Sequence, residues 1–236
     1  DPSGSAGPLQ DGRPPASQRE PVVKKKQTAE SRILEADQTR TNILEVATRE
    51  FADKGLAGAR IDEIAEKTNS SKRMIYYYFG GKDGLYEAVL ERAYGHIRKR
   101  EAERQFETMP ADEALRALIE LTFDYHASHP DFVRLVMNEN IHHGDHIGKI
   151  PGIKERNRSV IASLRTIIDK GVAARLFRKG VDPVDLHMSI SALCFYNVSN
   201  RYTFEANFGV DLGSPKTQKK RRAQIADIIL AWMKAD

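Results

Sequence analysis

The chain has 236 residues, 40% hydrophobic and 30% charged, with 37 Lys and Arg against 33 Asp and Glu for a formal charge of +4. No stretch approaches the roughly 18 uninterrupted apolar residues of a membrane-spanning helix, and Cys194, the one cysteine, excludes an intrachain disulfide scaffold. Collagen-like and wholly disordered classes fail on composition, and a lone thiol fits a reducing cytoplasm.

Residues 1–36 hold five of the ten prolines together with Gly4, Gly7 and Gly12. Such a segment buries too little apolar surface to offset its ordering entropy, and it lacks the apolar core of a secretory signal. It reads as a flexible tail in which Lys24-Lys25-Lys26 is a solvated charge run. From about Asp37 the pattern turns helical: Ile43, Leu44, Ala47 and Phe51 form a stripe at spacings of three and four, and Gly55 ends that helix. Ile61, Ile64 and Ala65 predict a short second helix, and Asn69 suits a tight turn. Ser70 or Ser71 can cap a third helix over 72–78, which Gly80-Gly81 terminates. A fourth helix is predicted from about Lys82 to Gln105 on Leu85, Val89, Ala93 and Ile97.

Further helices follow. One begins at Asp112 with Leu115, Leu118, Ile119, Thr122 and Tyr125; Pro130 opens another with Phe132, Val133, Val136 and Met137. A segment over 153–177 carries Ile161, Leu164, Ile167, Ile168 and Val172. Asp182-Pro183 is a cap and first turn for a helix through about Ala206, and a last helix over 215–234 carries Ile225, Ile228, Ile229 and Trp232. Strand signals are absent, so the expected fold is all-α: a helix-turn-helix unit over 37–82 and a larger helical unit over 83–236.

The third helix carries the functional signal. No acid lies between Glu66 and Asp83, where Lys67, Lys72, Arg73 and Lys82 make a one-signed patch. At 100° per residue Ile75 and Phe79 share one face, while Arg73 and Tyr77, flanked by Met74, occupy the opposite face. Lys72 and Tyr76 lie on one shoulder and Tyr78 on the other. Such a face suits the DNA major groove. Arg can bond guanine O6 and N7, Met can touch a thymine methyl, and tyrosine hydroxyls can bond phosphates. Lys82 would meet a phosphate at a helix N-terminus.

Thr41 to Leu90 resembles the N-terminal domain of TetR-family transcriptional regulators, on Ile61-Asp62-Glu63-Ile64-Ala65, the run Ser71 to Phe79, and Gly81-Lys82-Asp83-Gly84-Leu85. The resemblance implies a homodimeric all-α repressor with a variable ligand-binding C-terminal domain. It places Lys72, Arg73 and Tyr77 at base-facing sites and Tyr76, Tyr78 and Lys82 at phosphate-facing sites. Tyr78 stands where the family often has His, and both can donate to phosphate. Arg60 stands where the family often has Ser or Thr, as an extra DNA contact; Ser71 and Met74 complete the expected DNA-binding set.

A regulator of this kind must pair subunits and report a signal. The pairing candidates are the last two helices, with Leu186, Ile190, Leu193, Val198, Ile225, Ile228, Ile229 and Trp232. The effector, a small molecule of unknown identity, is expected in a mixed aromatic–amide cavity among Tyr125, Phe132, Met137, Asn140, Phe195, Tyr196, Asn197, Asn200 and Tyr202. No cofactor or catalytic residue is expected. Gly80-Gly81-Lys82-Asp83 is no phosphate loop, and G-x-S-x-G, H-E-x-x-H and G-x-G-x-x-G do not occur. The competing reading from another class is a helical metal-dependent enzyme using His142, His143, Asp145 and His146, against which these residues form a solvated loop. A third, a scaffold of helical corners, has no need of the basic, tyrosine-rich face.

Overall fold

The computed structural model describes residues 29–235; residues 1–28, with the Lys24–Lys26 run, lie outside them. In chain order the elements are α1 (Ala29–Gly58), α2 (Ile61–Lys67), α3 (Lys72–Phe79), α4 (Lys82–Ala102), α5 (Ala111–Ser128), α6 (Pro130–Ile141), α7 (Ile153–Ala173), α8 (Pro183–Ser199), α9 (Arg201–Phe208) and α10 (Pro215–Met233). Short 3₁₀ turns lie at Phe106–Thr108 and Ile147–Lys149. Among the described residues there is no strand, only an isolated antiparallel bridge between Phe177 and Lys234. None of the helices is long and apolar enough to cross a membrane.

The apolar stripes read from the sequence become the core. Ile43, Ala47 and Phe51 of α1, Ile64 of α2, Ile75 of α3 and Leu85 and Val89 of α4 are completely buried in one cluster, to which α6 adds Leu135 and the loop before α7 adds Ile150. A second cluster joins α5, α7, α8 and α10 through Leu115, Leu118, Leu164, Leu186, Ile190 and Ile225. Residues such as these stabilise the fold by about 1.5–3 kcal/mol each. The helix α4 is common ground: its first half belongs to the first cluster, and Ile97 packs with Tyr125, Phe132 and Val133. The α1 end is fastened to α6. Asn138 Nδ2 donates to the Phe51 carbonyl at 3.2 Å, next to the break at Gly55 (φ 66°), and Arg134 pairs with Asp53.

Three expectations need correction. Residues 29–36 are helical rather than part of a flexible tail. Their Ala, Glu, Arg and Leu favour helix and extend a helix already anchored at Ile43, although Ile33 and Leu34 remain exposed. The helix predicted through Ala206 is two, because the chain breaks at Asn200 (φ −105°, ψ 8°). There the Ser199 hydroxyl bonds Asn200 Oδ1 at 2.7 Å, and the Asn200 carbonyl accepts from Phe204 N and Thr203 Oγ1. The helices α4 and α7 also stop short of Gln105 and residue 177, where Gln105 (φ 48°) and Arg175 (φ 59°) take left-handed conformations.

Candidate nucleic-acid interface and effector-domain interior

The interface is assembled from local rules. Asn69 (φ 50°) makes the turn after α2. The Ser71 hydroxyl caps α3 by accepting from Met74 N at 3.2 Å. Gly80 (φ 75°) closes α3, its N–H donating to Tyr76 O at 2.8 Å. Glycine is needed again at Gly84, since a Cβ there would lie 1.9 Å from the Phe79 carbonyl oxygen, so the end of α3 sits directly on the first turn of α4. The brace between α1 and α2 is ionic. Burial alone would push the Glu50 carboxyl up, but the ammonium groups of Lys54 and Lys67 outweigh it and hold it at about 2, with Lys67 Nζ 2.7 Å from Glu50 Oε2.

With that frame, α3 is oriented as its wheel predicts. Ile75 and Phe79 are buried, Lys72, Arg73 and Tyr76 are exposed, and Tyr77 is 79% exposed. Met74 and Tyr78 are half-buried, with the Tyr78 ring edge-on to Tyr77 at 5.3 Å. Besides Lys67, two more cations of the patch have partners. Lys72 Nζ lies 2.6 Å from Asp62, whose carboxyl it holds below the usual range, and Lys82 Nζ donates to the Ala57 carbonyl at 3.2 Å. Ser71 spends its oxygen on the cap. Arg60 is exposed at the start of α2, gives no side-chain cap, and approaches Asp62 at 4.0 Å.

One neighbour was not foreseen. Arg40 of α1 lies over the Phe79 ring at 5.5 Å, beside the end of α3. The helix α1 also frames a groove with the turn before α3, lined by Glu35 of its early start and by Gln38, Thr39, Asn42, Asn69 and Met74. The exposure of Ile33 and Leu34 left no apolar stripe by which to find this segment.

The remaining helices sort the other expected residues. Leu186, Ile190, Ile225 and Ile229 fill the core of the single chain, and Leu193 packs against it. The exposed apolar residues of α8 and α10 are instead Val184, Met188, Tyr196, Ile228 and Trp232. The expected single effector cavity divides. Tyr125 and Phe132 line a cleft of about 570 Å³ bounded by α1, α4 and the α5–α6 corner, with Arg49, Arg92, His96 and His129. Met137, Asn197 and Tyr202 line another, of about 260 Å³. Asn140 is on neither: it is exposed, and its amide donates to its own helix at Val136 O. Asn200 is engaged at the α8–α9 break, and Phe195 stands edge-on to His126 at 5.7 Å.

The histidine loop does not gather a metal site. His142, His143 and Asp145 are exposed, and among the described residues no group of three or more His, Cys, Asp or Glu could hold an ion. Glu139 is instead a buried clasp for the loop, its Oε1 accepting from His146 N and Ile147 N at 2.6 and 2.8 Å, while the His146 ring stands edge-on to Tyr86. The interior holds charges that sequence reasoning passed over. Arg98 and Glu101 of α4 lie inside, and the charge of Arg98 reaches His126 of α5 and His187 of α8. Their signal was present: Tyr94, Ile97, Arg98 and Glu101 follow the three-and-four spacing of a buried face, while Lys99 and Arg100 point to solvent.

Comparison with known proteins converges on one family. Residues 43–89 match the bacterial regulatory proteins of the tetR family, and residues 112–229 match the tetracyclin repressor-like C-terminal domain. The HTH-type transcriptional repressor NicS of Pseudomonas putida is 34% identical over 203 residues, spanning 86% of this chain and 96% of that protein. Among solved structures, the putative transcriptional regulator SCO4942 of Streptomyces coelicolor is 25% identical with a TM-score of 0.63, over 83% of this chain and 98% of that one. AibR, solved with isovaleryl coenzyme A and operator DNA, shares the fold at 19% identity, with a TM-score of 0.61 over 83% of this chain and 98% of its own. With its helix-turn-helix and outward-facing α3, this chain belongs to the TetR family of DNA-binding transcriptional regulators.

Proposed function

We propose that the protein is a homodimeric repressor of the bacterial cytoplasm that binds a two-fold-symmetric operator and releases it when a small effector enters the helical domain. The observation that carries this reading is α3: it turns Lys72, Arg73, Tyr76 and Tyr77 to solvent while Ile75 and Phe79 anchor it from behind. In this reading residues 37–82 act as the DNA-binding unit, with α1 extended toward residue 29, and residues 83–236 as the effector-binding and pairing unit. Lys72, Arg73 and Tyr77 face base edges, with Met74 beside them; Tyr76, Tyr78, Lys82 and Arg60 face phosphates; Ser71 holds the helix start. Lys72 exchanges Asp62 for DNA on binding.

One α3 reads a half-site, and two copies related by a two-fold axis read a palindrome about one helical turn apart. Pairing is assigned to α8 and α10, whose Val184, Met188, Ile228 and Trp232 are apolar and exposed in the single chain. Release follows from α4, which starts at the end of α3 and continues into the interior at Ile97, and from α6, which grips α1 through Asn138. An effector that shifts these helices moves the two α3 helices off their groove spacing, a coupling typically of about 1–3 kcal/mol. That NicS is a transcriptional repressor, and that AibR was solved with isovaleryl coenzyme A and operator DNA, supports this reading.

Selection of bound sequences from random duplexes tests it, followed by a salt titration on the selected site. A palindrome is expected, with log K falling against log salt at a slope of roughly −5 to −7 for about three or four phosphates per subunit. An asymmetric site bound by one chain, or a slope near zero, would remove it.

A further inference from the structure

Between α4, α5 and α8 lies a group of buried polar side chains with unspent hydrogen-bonding capacity. Arg98 and Glu101 have side chains only 12% and 8% exposed, His126 is 4% exposed, and His187 is half-buried. Arg98 Nη1 comes within 2.9 Å of Glu101 Oε2, yet the two are not aligned as a hydrogen bond. Arg98 Nε and Nη1, Glu101 Oε2, His126 Nδ1 and His187 Nδ1 have no hydrogen-bond partner among the described residues. Buried polar groups are ordinarily satisfied, and a cluster left open at one place in a helical interior marks a place where a polar ligand belongs.

The local electrostatics fix the sign of that ligand. Burial, then the charge of Arg98, holds both imidazoles neutral, with His126 and His187 each at about 4. Burial pushes Glu101 up to about 7 against the pull of Arg98. Burial lowers the Arg98 guanidinium as well, but it starts so far above neutrality that it is the one of these four groups charged across the neutral range, with a counter-ion that holds its proton easily. The apolar walls are aromatic: the His126 ring stacks on Phe132 (5.7 Å, 20°) and meets Phe195 edge-on (5.7 Å, 88°).

We propose that this group is the effector's recognition site and that the effector is a small organic acid, its carboxylate on the free donors of Arg98 and on an imidazole N–H of His126 or His187, its apolar body against Phe132 and Phe195. The proposal rests on the effector-released reading above and names the ligand class. On binding, Glu101 yields Arg98 to the ligand and takes up a proton. Because Arg98 and Glu101 ride on α4, the exchange acts on the helix that begins beneath α3.

The test uses the full chain and three acids, benzoate, phenylacetate and octanoate, each beside its neutral amide, followed by calorimetry and thermal shift. At least one acid is expected to bind tenfold or more tightly than its amide. Arg98→Met should abolish that preference and His187→Gln should weaken it several-fold, whereas Glu101→Gln, which removes the competing anion, should tighten it. A structural role alone predicts a loss in all three variants. No acid preferred over its amide, or a preference unchanged in Arg98→Met and His187→Gln, would overturn the site. Should Arg98→Met fail to fold, the opposed effects of His187→Gln and Glu101→Gln decide. A mobility shift on the operator separates the two readings. Acid binding without DNA release leaves the site standing and removes the release mechanism; acid-driven release undiminished in Arg98→Met does the reverse.

Discussion

Replacing Trp232 by Lys tests whether α8 and α10 pair the subunits. Val184, Met188, Ile228 and Trp232 are 55, 63, 46 and 47% exposed in the single chain. Side chains of this size at such exposure present on the order of 100 Å² each, so a symmetric pair would bury roughly 800 Å² of apolar surface, about 20 kcal/mol before costs. Association consumes about 4–15 kcal/mol of lost freedom, leaving enough for a stable dimer. Trp232→Lys removes about 100 Å² from each protomer, about 5 kcal/mol in all, and the two-fold axis doubles its effect. It also replaces the ring beneath the Arg178 guanidinium, 5.4 Å away, with a like charge. The dimer dissociation constant should rise by more than a thousandfold, read by sedimentation equilibrium from nanomolar to micromolar protein. The residue is on the surface, so helical content should not change. Operator affinity should fall with dimer population and recover at high protein concentration. A Trp232→Lys protein that sediments as an undiminished dimer, and does so again with Met188→Glu, would show that pairing uses another face.

The other expectations concern recognition, packing and pH. Arg73→Ala should relax base preference, costing about 1–3 kcal/mol at one base pair, while Lys82→Ala should weaken all DNA about equally and lower the salt slope by about two per dimer; the reverse outcome in a sequence selection would show that α3 sits in a different rotation. Gly171→Ala places a Cβ 2.0 Å from the buried Phe177 ring, so stability should drop by about 1–3 kcal/mol, seen as a lower calorimetric midpoint; an unchanged midpoint would contradict the packing of α7 on that ring. His126 and His187 stay neutral down to about 4 in the folded state but protonate near 6.5 when unfolded, so they take stability away as pH falls from 6.5 toward 4. Glu101, held at about 7, acts in the opposite direction, its contribution being lost as pH rises from 4.5 through 7. Relative to a His126→Gln/His187→Gln variant, the wild type should therefore lose up to about 2–3 kcal/mol per pH unit across that acid window, measured by urea unfolding at stepped pH; parallel curves would mean the imidazoles are solvated.

The DNA-facing half was legible because its determinants are local. The spacing of Ile43, Ala47 and Phe51, the break at Gly55, the Ser71 cap and the Gly80-Gly81 stop each act within a turn or two of chain, so they survive translation from sequence to structure. Which way α8 and α10 face was not legible, because both helices carry apolar residues on more than one side. Leu186 and Ile190 look as suited to a partner as Val184 and Met188, and only packing against α5 and α7 decides that the first pair turns inward. The same holds for Tyr125, Met137 and Asn140, whose residue types suit a cavity but whose grouping depends on how α1, α4 and α6 meet. Arg98 and Glu101 show the limit most clearly. Their spacing with Tyr94 and Ile97 marks an inward face, but burial, which sets their chemistry, is a property of the helices packed around them.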